Sequence, residues 1–459
     1  MTIDEAYSFN EFASGGFTGV FLSGFDANNH VLHTALMWLS TAVFGLDDFA
    51  LRLPALAGSA LFLWFLPQLI ELVTPGRWMR RLLFLILVLN PLTLDLLCAA
   101  RGYSLALGFL TLSILSFMRH TARHETRDLS RMSAFLGLTC CANLSFAFVS
   151  LAVLCVAMVT AIRNGDAARL HRAIAPGAAI LFCVLVLPLS RAERNNFYWG
   201  AKDLRELLDS TATPFLRHDP FLPGPFGSAK YVARLERRFL PASLLILGIS
   251  GLLWFVRGSH PQVTPLIGIL LVTLFGYWLA HEHFAVPYPS ERTGVALVFL
   301  FFLCFGAAIS VWRPGWRAPA AFWVLGAPST IILLVLLLQC IHQLQQPGYL
   351  WAWHEERDNR QVAGILRDRG ARNICAYWQF QPALEWYRRS GSIPGAGALA
   401  KYPGENPPLR DHDAYVLLRP DPAKLAANGL ETLWQNSQTG VTVAVPVAGD
   451  PRNGSPASK

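Results

Sequence analysis

The stretch Leu51-Arg52-Leu53-Pro54-Ala55-Leu56-Ala57-Gly58-Ser59-Ala60-Leu61-Phe62-Leu63-Trp64-Phe65-Leu66 opens an apolar run that continues to Val73. Further apolar blocks follow at about 80–97, 102–119, 132–146, 147–162, 173–190, 241–256, 263–281, 295–311 and 320–341. Most are roughly 16 to 24 residues long, the length of a helix that crosses a bilayer. Hydrophobic residues make up 53% of the 459, charged residues only 15%, and mean hydropathy is +0.38. A soluble chain carries nearer a quarter charged residues. The chain therefore reads as an all-α polytopic membrane protein with about ten spans, because lipid offers a backbone no hydrogen bonds and blocks of this length must be helical.

The short loops between blocks set an orientation. Arg77, Arg80 and Arg81 lie in one, and Arg119, Arg123, Arg127 and Arg131 in the next on the same side. Arg163, Arg169 and Arg172, then Arg257, then Arg313 and Arg317 follow. By the positive-inside rule these loops are cytoplasmic. The segments 1–49, 95–103, 191–240, 281–294 and everything from 342 then face outward. A net charge of +8 would suggest nucleic acid in a soluble chain. Here the arginines flank apolar blocks, so orientation and lipid headgroups account for them and no nucleic-acid partner is expected. Of the eight cysteines only Cys375 falls in a polar region, and nothing resembles a disulfide framework or a CxxC metal site.

Four regions follow. Residues 1–49 form an outer loop with surface helices, one of them at 30–46, and 50–341 form the membrane domain. Residues 342–446 form a small α/β domain outside the membrane, with helices at Glu355–Arg369 and Gln381–Arg389 and strands at Asn373–Tyr377, Asp413–Arg419 and Val441–Val445. Residues 447–459, rich in Gly, Pro, Ser and Asn, read as a disordered tail.

Ionisable residues next to a membrane segment are expensive to hold and usually functional. Those of this chain collect on the outer side: Asp4, Glu5, Asp26, His30, His33, Asp95, Arg101, His281, Glu282, His283, Glu291 and Arg292. A site at the membrane face suits a substrate whose lipid tail stays in the bilayer. Such chemistry needs a carboxylate to take a proton and cations to hold a departing phosphate, for which arginine's planar fork is suited.

The order of Asp4-Glu5, then His30 and His33, then Leu51-Arg52-Leu53-Pro54, resembles the first extracytoplasmic loop of the GT-C membrane glycosyltransferases. The bacterial relatives meant are those of protein O-mannosyltransferases and lipid A aminoarabinose transferase. Val31-Leu32 stands where that family usually has prolines. Ala100-Arg101-Gly102-Tyr103-Ser104-Leu105 is similar to the family's Arg-x-Tyr-Ser-Leu element, and Pro287-Tyr288-Pro289-Ser290-Glu291-Arg292 to its late Arg-Tyr element in altered form. The resemblance implies inverting transfer of a sugar from a polyprenyl-phosphate donor to a lipid, glycan or protein acceptor, at the outer face of a bacterial inner membrane. It implies Asp4 as general base with Glu5 beside it. Substrate binding would fall to His30, His33, Asp95, Arg101, Tyr103, Tyr288 and Arg292, with Arg101 and Arg292 on the phosphate.

No cofactor is implied. A divalent metal at His281-Glu282-His283, completed by His30 or His33, is the less favoured reading. The basic stretch Lys230–Arg238 reads as a headgroup-binding amphipathic helix. The alternatives are a transporter or flippase of lipid-linked sugars, which would need two related halves that the chain does not display, and a non-catalytic scaffold whose outer domain binds a partner. The relatives carry a membrane helix before the acidic pair, so a missing first helix is expected, with Asp4 poorly held without it.

Overall fold

A computed structural model of the chain describes residues 1–24, 26–74, 76–165, 169–192, 200–207, 209–210, 263–310, 327–344, 353–399 and 412–447. The expected span at 241–256, the basic stretch 230–238, the loop residues Arg257, Arg313 and Arg317 and the tail beyond 447 lie outside the described residues. The chain divides into two compact units. One contains Met1–Val20, Thr34–Arg52 and Trp353–Lys459; the other contains Phe21–His33 and Leu53–Ala352.

The helices, in chain order, are α1 (Ile3–Tyr7), α2 (Val31–Phe44), α3 (Asp48–Val73), α4 (Arg77–Val88), α5 (Pro91–Cys98), α6 (Tyr103–Arg123), α7 (Thr126–Ala142), α8 (Ala147–Arg163), α9 (Leu170–Leu189), α10 (Val263–Phe284), α11 (Val295–Ser310) and α12 (Ala327–Leu344). Among the described residues six helical segments are long and apolar enough to cross a membrane. Counting α4 and α5, which are bent by 61° against each other, as one broken span gives seven. The break has a local cause: Asn90 accepts a hydrogen bond from Thr93 N–H and Pro91 takes the first helical position, so a new helix starts inside the apolar block. The block expected at 132–146 falls on α7, which is not one of the six, and that at 320–341 falls on the shorter α12.

Small residues let the helices of the membrane unit approach closely, as they must where lipid supplies no hydrophobic drive. A Cβ on Gly58 of α3 would run into the backbone of Ser104 and Leu105, and one on Gly137 of α7 into the carbonyl of Gly177 on α9. Pro176 interrupts the α9 ladder, and Ser133 of α7 accepts the neighbouring Gly177 N–H at 2.9 Å. This is how a proline is accommodated in a spanning helix. Trp64, Phe182 and Leu271 are exposed on spanning helices, where lipid would cover them.

The other unit is built on a four-stranded sheet. After a 3-10 turn at His354–Asp358 come α13 (Asn359–Arg369), β1 (Ile374–Ala376), α14 (Gln381–Arg389), β2 (Ala414–Leu418), α15 (Pro422–Ala427), β3 (Leu430–Gln435) and β4 (Val441–Pro446). The strand order is β1-β2-β4-β3, with β1 parallel to β2 and the other pairs antiparallel. α15 and β3 stand where the sequence pointed to no element, and the unit also takes in Met1–Val20 and Thr34–Arg52. Asp358 ties its parts together, accepting from Asn436 Nδ2 at 2.9 Å and Thr439 Oγ1 at 2.6 Å at the β3–β4 turn. The N-terminal segment belongs to the same unit: Phe9 packs edge-on against Trp386 of α14, with centroids 4.7 Å apart, and Trp386 Nε1 donates to Asp48 at 3.1 Å.

Candidate functional site

Asp4 and Glu5 lie in the first turn of α1, and both are buried. The turn is closed by a capping box, in which Glu5 N–H donates to Thr2 Oγ1 and Thr2 N–H donates back to Glu5 Oε2 at 2.7 Å. Glu5, fully buried, also receives both arms of the Arg52 fork, at 2.9 Å each. That bidentate pair is a strong form of ion pair and fixes the peptide on which Asp4 sits. The expectation of a poorly held Asp4 therefore does not describe this turn. Asp4 Oδ2 accepts a hydrogen bond from Trp353 Nε1 at 3.0 Å.

Two more side chains from the same stretch reach this turn. Glu356 accepts the Ile3 N–H on Oε2 and Gln379 Nε2 at 3.2 Å on Oε1, and Asn359 Nδ2 donates to the Met1 carbonyl at 2.9 Å. Burial pushes the Glu356 carboxyl up to about 8; the bonds from Ile3 and Gln379 pull the other way, and the charges of Asp4 and Glu5 add to the rise. At neutral pH Glu356 thus holds a proton beside two carboxyls. Trp353, Glu356 and Asn359 recur every three residues: Trp353 stands just before the 3-10 turn that carries Glu356, and Asn359 opens α13. That spacing was the only available signal for them, and nothing in it points to residues 1–5.

The second cluster lies in the membrane unit. The loop before α2 is turned by Asp26, whose carboxylate accepts Asn28 N–H at 2.7 Å, and it places Asn28 against Arg101, whose NH2 donates to Asn28 Oδ1 at 3.0 Å. Arg101 sits between α5 and α6 and is only 2% exposed. Tyr103 packs edge-on against His30, with ring centroids 5.4 Å apart. Gly102 permits this crowding, because a Cβ there would overlap the Ala142 carbonyl and approach His30 Cβ to 3.0 Å.

His30 is held neutral: burial lowers its pKa well below the usual value, and its electrostatic interactions with Arg101, His33 and Arg292 lower it further. Packing brings His30 and Tyr103 together, and Arg101, His33 and Arg292 act on His30 electrostatically. Among the described residues, His30 Nε2 and Ser104 Oγ are buried with no hydrogen-bond partner. Arg292 lies in a 3-10 turn, Glu291–Gly294, closed by Ser290 and Thr293; Glu291 adopts φ 45°, a strained conformation for a residue with a side chain.

Tyr288 is placed differently from these. Asp95 is buried on α5. Tyr288 stacks on His281, centroids 4.4 Å apart, and its backbone pairs with Ala201. The tandem His281-Glu282-His283 lies at the end of α10, not on a strand or loop, so positions 281 and 283 do not share a face. His281 Nδ1 meets the Val286 carbonyl at 3.1 Å. Among the described residues no group of three His, Cys, Asp or Glu side chains is placed to hold a metal ion.

Six or seven candidate spans among the described residues, with a small C-terminal sheet, make this a multi-pass membrane protein. The fold matches that of ArnT, a lipid A aminoarabinose transferase, from Cupriavidus metallidurans bound to undecaprenyl phosphate. The TM-score is 0.50 over 96% of this chain and 92% of that one, at 11% identity. ArnT from the same organism in the apo state gives 0.48 over 97% and 93%, at 12% identity. No protein-family model and no curated protein sequence matches the chain.

Proposed function

We propose that the chain transfers a sugar from a polyprenyl-phosphate donor to a hydroxyl acceptor at the outer face of a bacterial inner membrane. The supporting observation is the buried Arg101, held by Asn28 beside a neutral His30 on which Tyr103 packs. Arginine's planar fork can pair two oxygens of an anion. A lipid phosphate is such an anion, and ArnT of the same fold has been seen with undecaprenyl phosphate.

In the reaction the acceptor oxygen forms a bond to the anomeric carbon as the bond from that carbon to the phosphate oxygen breaks. Attack from the opposite face inverts the carbon. The acceptor proton passes to Asp4, and polyprenyl monophosphate leaves with the electron pair and is held by Arg101 and Arg292. Glu5, engaged by Arg52, positions the base. Asp95, Tyr103 and Tyr288 are assigned to substrate binding, and no metal enters the scheme.

The test is release of undecaprenyl phosphate from undecaprenyl phosphoryl mannose and undecaprenyl phosphoryl aminoarabinose, by purified protein in liposomes with an envelope extract as acceptor source. Loss of a general base costs about 100-fold or more, so Asp4→Asn should reduce release by at least that. No release from either donor, or equal release by Asp4→Asn, overturns the reading. A transporter would instead move the intact donor across the bilayer without releasing the phosphate lipid.

A further inference from the structure

We propose that Trp353 is a positioning residue for the reaction, so that the α/β region following the membrane helices supplies part of the machinery that orients the base; this rests on the reading of Asp4 as general base. Three hydrogen bonds run from the stretch Trp353–Asn359 to the segment carrying Asp4. Trp353 Nε1 donates to the Asp4 carboxylate at 3.0 Å, Glu356 accepts the Ile3 N–H, and Asn359 Nδ2 donates to the Met1 carbonyl at 2.9 Å. Trp353, Glu356 and Asn359 are all buried.

The Trp353 bond differs from the other two because it ends on the reacting group. An indole N–H has one proton to give and no acceptor, so it binds a carboxylate oxygen in one orientation only. It holds the Asp4 carboxylate plane about its last torsion, which is otherwise broad and soft. It also favours the ionised form, and so lowers the pH at which Asp4 becomes competent to accept a proton. Glu5 and Arg52 fix the backbone of the turn, and Trp353 fixes the side chain on it.

Trp353→Phe keeps the aromatic ring and removes the donor. With the two undecaprenyl donors above, kcat for undecaprenyl phosphate release should fall by about tenfold, a fraction of a full general-base contribution. KM for the donor should stay unchanged, and the acid limb of the kcat–pH profile should move to higher pH. A role in packing alone would leave that limb in place. Incorporating β-(3-benzothienyl)alanine at 353, which preserves the bicyclic shape and replaces N–H by sulfur, should reproduce both changes even if the smaller ring of Phe disturbs folding. Unchanged kcat and acid limb in the benzothienyl protein, with Asp4→Asn inactive, overturns this inference and leaves the general base standing. An active Asp4→Asn overturns the general base itself.

Discussion

At the residue scale, Glu356 makes the acidic turn sensitive to pH. Its carboxyl is raised to about 8 by burial, so it contributes stability fully present below the ordinary carboxyl range near 4.5 and lost as pH rises toward 8. Above 8 it ionises beside Asp4 and Glu5, adding a negative charge that, on the proposed function, opposes an anionic donor. Wild-type protein in detergent should therefore show a thermal midpoint that declines from pH 5 to pH 9, and a kcat/KM that falls on the alkaline side. Glu356→Gln keeps a carbonyl to accept the Ile3 N–H but cannot ionise. Its midpoint should vary less with pH and its alkaline limb should move upward; superimposable profiles for the two proteins would show that Glu356 does not titrate in this range. His30 works in the opposite sense: its pKa is depressed, so the stability it contributes is present above about 6.5 and lost as pH falls.

At the scale of the elements, the junction between α5 and α6 depends on a residue with no side chain. Gly102 has an ordinary backbone, so its value is room rather than conformational freedom. Adding a methyl there forces the Ala142 carbonyl and His30 apart, and overpacking of this kind costs about 1–3 kcal/mol. Gly102→Ala should lower the thermal midpoint and weaken undecaprenyl phosphate binding together, since Arg101 and His30 flank the site of the clash. Gly364→Ala on α13, where a Cβ would meet nothing within 4 Å, serves as the contrast and should leave both unchanged or raise the midpoint slightly. Only part of this was readable in advance. The apolar blocks 132–146 and 147–162 put a break near 146, and the structure puts it at Asn143, whose side chain caps the turn that starts α8. The bend at Asn90-Pro91 was not anticipated, although its cap and proline stand in the sequence, because an unbroken apolar run hides a change of direction. β3 was missed because it is mostly exposed, and a bulge between Thr432 and Trp434 breaks its alternation. The ties from Trp353 and Glu356 to residues 3 and 4 span about 350 positions of sequence, beyond the reach of any periodicity.

At the scale of the whole molecule, the charge pattern and the site make separate demands that must agree on sidedness. Arg77, Arg80, Arg81, Arg119, Arg123, Arg127 and Arg131 place the α3–α4 and α6–α7 junctions on one side, by the preference of cationic loops for the cytoplasm. Each intervening passage of α4–α5 and α6 then returns the chain to the opposite side at residues 99–102, where Arg101 lies. The proposed chemistry requires that side to be the outer one. In a background lacking the eight native cysteines, a cysteine at Arg123 or Glu125 should be protected from a membrane-impermeant maleimide in intact spheroplasts and react after permeabilisation. One at Asp26 should react without permeabilisation, since that loop precedes α2 and its Asn28 contacts Arg101. Labelling of both sets in intact spheroplasts, or of the arginine-rich loops alone, would place Arg101 on the cytoplasmic side or break the alternation of spans. Either result would detach the phosphate site from the outer face even if undecaprenyl phosphate still bound, because the sidedness rests on seven arginines and not on the affinity of the site.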